Sequence, residues 1–68
     1  MKKVKIDRVT VLNWNKKLES KEYDDWYVEV DHWKKLEPAL NDIRENLKKK
    51  FRKKYKDNVK IMLIYTEL

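Results

Sequence analysis

His32 is the chain's only histidine, so any imidazole chemistry has to begin there. A catalytic triad or a histidine-bound metal needs partners. Glu29 and Asp31 lie close in sequence, with Asp24 and Asp25 earlier on the same stretch, but their spacing matches no ligand motif. The plainer role for His32 is a boundary residue between a strand and a helix, with Asp31 as the helix N-cap. Asp24-Asp25 offers paired carboxylates, yet neighbouring strand residues point to opposite faces and cannot easily share one substrate. Ser20 is the sole serine, and it sits in a charged segment without a base beside it. There is no cysteine, which removes thiolate metal sites and disulfides, and no glycine, which removes the glycine-rich loops that cradle phosphates. No catalytic residue, metal ligand set or cofactor is expected, and the chain reads as a non-enzymatic binding module.

The pronounced chemistry is charge. Residues 1–33 are electrically neutral, and residues 34–68 carry the whole net charge of +6. Residues 48–56 hold seven cations and no acid: Lys48, Lys49, Lys50, Arg52, Lys53, Lys54 and Lys56, broken only by Phe51 and Tyr55. Cations near a helix C-terminus offset the macrodipole, and their stems shield an apolar stripe. Seven like charges over about two and a half turns repel one another, which is more than capping requires. A polyanion would relieve that field with release of counterions. Lys48, Lys49, Lys50, Arg52, Lys53 and Lys56 are therefore the expected contacts to nucleic-acid phosphates, DNA or RNA. With a single arginine in the run, bidentate reading of base edges is not expected, and sequence discrimination should be slight.

Eight aromatic residues are many for so short a chain. Trp26, Trp33, Phe51 and Tyr65 read as core. Trp14 and Tyr27 have no obvious buried slot and are expected as stacking or docking groups. Met62 and Ile64 alternate with Ile61 and Leu63, so they fall on a second, apolar sheet face. That face, or the acidic stretch 19–31, supports an alternative reading: a protein–protein module, a small regulator or inhibitor encoded by a virus or other mobile element, with a homodimer as one form of it.

These residues need elements to hold them. Residues 3–12 alternate as a first strand, but the apolar phase slips between Ile6 and Val9; either a bulge sits near Asp7-Arg8 or both faces are buried there. Residues 13–23 are polar and read as a long hairpin loop, and residues 24–31 as a second strand. Trp33, Leu36, Leu40, Ile43, Leu47, Phe51 and Tyr55 then recur every three or four residues, one helical stripe. Pro38 fits a first turn, so the regular helix starts near Glu37, and Asp57-Asn58 reads as its stop. Arg44 falls within the stripe and is expected to snorkel outward or to meet an acid such as Asp7 or Glu29. Residues 59–66 give a third strand.

The expected fold is α+β: one domain over residues 1–68, in the order β-β-α-β, with a three-stranded, mainly antiparallel sheet packed on one long amphipathic helix. At 68 residues it buries little apolar surface and should be marginally stable. No apolar run approaches a membrane span, and the basic N-terminus has no apolar segment behind it, so a cytoplasmic location in the cell or host is expected.

Overall fold

The computed structural model describes residues 2–68; Met1, the first residue of the expected domain, lies outside the described residues. Strand β1, Lys2–Asn13, is the spine of the sheet. Val4, Ile6, Val9 and Val11 are all buried on one side of it, although the sequence interval between Ile6 and Val9 is odd. The slip is absorbed by a bulge. Strand β4, Lys60–Glu67, pairs antiparallel with β1, and the register shifts between Ile6 and Arg8, leaving Asp7 as the extra residue. The far side of β1 is buried only at Thr10, whose hydroxyl meets Ser20 Oγ at 3.2 Å.

The other edge of β1 carries two strands end to end. β2, Lys16–Glu22, pairs with Arg8 to Asn13, and β3, Tyr27–Val30, pairs with Lys2 to Lys5. The sheet therefore has four strands in three lanes, and the segment expected as a long loop is a strand preceded by a tight turn at Trp14-Asn15. β2 contains one apolar residue, Leu18, and no alternation. It is an edge lane held by the free backbone groups of β1, which leave no hydropathy signature. Between β2 and β3, Asp24-Asp25 bulges outward. The gap is closed by Tyr23 N–H donating to Asp7 O (3.0 Å) and Ile6 N–H donating to Trp26 O (2.8 Å).

A 3₁₀ turn, Trp33–Lys35, leads into helix α1, Leu36–Tyr55, with Pro38 in its first turn. Leu36 and Leu40 are buried against the sheet, while Ile43, Leu47, Phe51 and Tyr55 cover its margin. Trp33 departs from the expected core position: at three residues per turn the 3₁₀ segment rotates it off the stripe, and it is 41 % exposed. Asp31 does not cap the helix; it pairs with Lys35 at 3.8 Å, and the His32 carbonyl accepts the Lys35 N–H at 2.9 Å. The helix stops at Lys56, not at Asn58. Lys56 takes the left-handed conformation, φ 56°, and donates its N–H to Arg52 O at 2.8 Å. Arg44 lies along its own helix, donating to Asn41 Oδ1 at 2.8 Å and pairing with Glu37 at 3.4 Å, and reaches no acid of the sheet. Among the described residues, no helix is long and apolar enough to cross a membrane.

Candidate functional site

At 100° per residue, Lys49, Arg52, Lys53 and Lys56 fall at i, i+3, i+4 and i+7, on the side of α1 opposite the Leu40–Leu47–Phe51 stripe. All four are exposed, and with Asp57 and Asn58 they line one shallow depression. Lys48 and Lys50 flank this row. Lys48 is half-buried, while Lys50 leans over Phe51 with its Nζ 5.6 Å from the ring centre. Of the seven cations in residues 48–56, only Lys54 forms an ion pair among the described residues, to Glu19 at 3.2 Å. The hydrogen bond from Lys54 lowers the Glu19 pKa and raises that of Lys54, so both stay charged through neutral pH. Tyr55 beside them has its pKa raised, first by burial and then by its bond to Glu19.

Of the six acids in residues 19–31, three are held in ion pairs, none of them to the helix row. Glu22 pairs with Arg8, Asp31 with Lys35, and Glu19 with Lys54. The chain's negative stretch leaves the helix row uncompensated.

Trp14 lies at the same end of the molecule as this row, which spacing alone did not foretell. It sits at the tip of the β1–β2 turn and is 92 % exposed, with φ 57°. A bulky residue in the left-handed region carries a steric cost, and an exposed indole gains nothing from folding. Asn13 Nδ2, one residue earlier, donates to Asp57 Oδ2 at 2.8 Å, tying the turn to the end of α1. Trp14 lines a second depression with Leu12, Asn13, Asp57, Asn58, Val59 and Lys60, so the two hollows adjoin across Asp57-Asn58. The Asn13 bond, with help from the Asn58 N–H, lowers the Asp57 pKa. That ionised carboxylate, together with the negative end of the helix dipole, opposes an anion at the junction itself. Favourable positions for anions lie along the helix row, and the indole stands apart as an apolar platform.

Tyr27, Met62 and Ile64 are not part of this pole. They lie on the open face of the sheet, away from α1, and are 43 %, 43 % and 46 % exposed. Tyr27 stands opposite Lys5, near the far end of β1, with Lys3 Nζ 4.6 Å over its ring. Residues 13–23, expected as a long hairpin loop, contribute strand β2 to the sheet itself.

His32 and the acids near it form no ligand cluster: among the described residues, no group of three or more His, Cys, Asp or Glu side chains is placed to hold a metal ion. Compared with protein-family models, curated proteins and solved structures, the chain matches none at a significant level.

Proposed function

We propose that this protein binds single-stranded nucleic acid with little sequence preference at the pole formed by the α1 cation row and Trp14. The supporting observation is the combination of Lys49, Arg52, Lys53 and Lys56, exposed and without acid partners, with an indole held in the open at the same end of the molecule. The row meets phosphates, mostly as point charges. The indole stacks on an unpaired base, which every base permits because each has a π-face. A duplex offers no free base to that ring, so single strands are the better ligand.

The test is fluorescence anisotropy of a labelled oligonucleotide, single-stranded and duplex, across a series of salt concentrations. Four phosphate contacts give a log–log salt slope of about −3 on a single strand. Combined Lys49→Glu, Arg52→Glu and Lys53→Glu substitution abolishes binding, while Trp14→Ala weakens it roughly tenfold and leaves the slope in place. Unchanged affinity in the triple variant sinks the proposal.

A further inference from the structure

The two lateral edges of the sheet are built differently. The β2/β3 edge is interrupted by a register shift beside Leu12 and by the Asp24-Asp25 bulge, and β2 is studded with charge. Such devices keep an edge from adding another strand. The outer edge of β4 is unbroken and carries charge only at its two ends, Lys60 and Glu67. Its eight residues are free of proline and of a bulge, and Ile61-Met62-Leu63-Ile64-Tyr65 is an unbroken apolar run.

The hydrogen-bonding direction along β4 follows from its end. Leu68 N–H donates to Lys3 O at 3.0 Å, so the even-numbered residues turn their backbone groups toward β1. Alternation in an antiparallel pair then turns the N–H and C=O groups of Ile61, Leu63, Tyr65 and Glu67 outward, and among the described residues no strand pairs with them.

We propose that this edge pairs with β4 of a second copy of the chain, antiparallel and centred on Leu63, giving a homodimer whose sheet is continuous across both copies. One register places apolar residues opposite apolar residues throughout the run: Ile61 faces Tyr65, Leu63 faces Leu63, and Met62 faces Ile64. Lys60 then stands opposite Thr66, whose hydroxyl rests on Asp7 at 2.5 Å, and Glu67 opposite Val59, so no charge meets its like. Met62 and Ile64 fall at non-hydrogen-bonded positions, where facing side chains approach closest, and the pairing collects both exposed residues of each copy into one cluster on the open face. This interface is independent of the nucleic-acid reading: the α1 cation row projects away from the sheet and remains exposed in each copy.

The test compares solution mass by sedimentation across a dilution series for the unchanged chain and two double variants. Ile64 stands opposite Arg8 within one copy, so a glutamate at 64 is tolerated in the monomer. Met62→Glu with Ile64→Glu places acid against acid across the proposed interface. Met62→Lys with Ile64→Glu places lysine against glutamate there and differs from the first variant at one position. The expected result is a dimer for the unchanged chain, a monomer for the Glu/Glu variant and a dimer for the Lys/Glu variant. Amide exchange supplies a readout that needs no variant: Ile61, Leu63 and Tyr65 gain protection as concentration rises. A monomer at every concentration, with exchange at those amides insensitive to dilution, overturns the proposal. A dimer of equal strength in both double variants overturns it as well.

Discussion

Trp14 combines two unfavourable properties in one residue. Its backbone occupies a region that glycine or asparagine fills readily, and its ring stands in water. Nothing in the packing rewards either, so the indole is a cost carried by the fold. Trp14→Gly removes the steric clash and should raise the free energy of unfolding by roughly 1 kcal/mol, read as a higher urea midpoint. In the same variant the affinity for a single-stranded oligonucleotide should fall. A substitution that stabilises the fold and weakens binding is the signature of a residue kept for contact; a Trp14→Gly protein of lower stability would show that the indole supports the turn after all.

Within the elements, the bulge at Asp7 joins the three lanes. Its carbonyl accepts from Tyr23 in the β2–β3 connection, and its carboxylate accepts from Thr66 Oγ1 of β4 and from Lys5 Nζ at 2.9 Å. The Thr66 bond first, and the Lys5 bond second, lower the Asp7 pKa from its ordinary 3.8, and the Asp7 bond raises that of Lys5. Because the folded value lies below the unfolded one, this stabilisation is fully present above about pH 4 and is lost as the pH falls through the folded value. Asp7→Asn should therefore lower the thermal midpoint at pH 7 and flatten its acid decline, a difference that shrinks as the pH falls through the folded value. Parallel pH curves for the two proteins would remove Asp7 from this role. The bulge was legible in the sequence because the apolar phase slips between Ile6 and Val9. The α1 stripe and the fold class were legible for the same reason, since burial imposes a period on the side chains that meet the core. β2 was hidden because an edge lane is held by backbone groups, and Lys16-Lys17-Leu18-Glu19-Ser20-Lys21-Glu22 needs no apolar period to pair. The cation row was visible in residues 48–56, but its approach to Trp14 was not. That depends on the Asn13–Asp57 bond, which joins positions 44 residues apart.

Across the whole molecule, uncompensated charge acts on stability and on binding with opposite signs. The helix row brings Lys49, Arg52, Lys53 and Lys56 within one or two turns of each other, and among the described residues none of the four forms an ion pair. In a domain this small, with little core to spare, such repulsion is a measurable fraction of the stability. Screening shortens from about 10 Å at 0.1 M salt to about 3 Å at 1 M, which relieves repulsion between neighbouring lysines. Added sodium chloride should therefore raise the thermal midpoint even as it weakens nucleic-acid binding. Lys49→Glu with Lys53→Glu should reduce that rise with salt, because most of the row's repulsion is gone while the attractive Lys54–Glu19 and Arg8–Glu22 pairs remain. A saturating single-stranded oligonucleotide should stabilise the unchanged chain through linkage and leave the double variant unmoved. Differential scanning fluorimetry of both proteins over a salt series, with and without oligonucleotide, reads all of these effects in one plate. An unchanged chain whose midpoint falls as salt is added would mean that its attractive ion pairs, chiefly Lys54–Glu19 and Arg8–Glu22, outweigh the row, and the polarised surface proposed to meet phosphate would have no energetic trace.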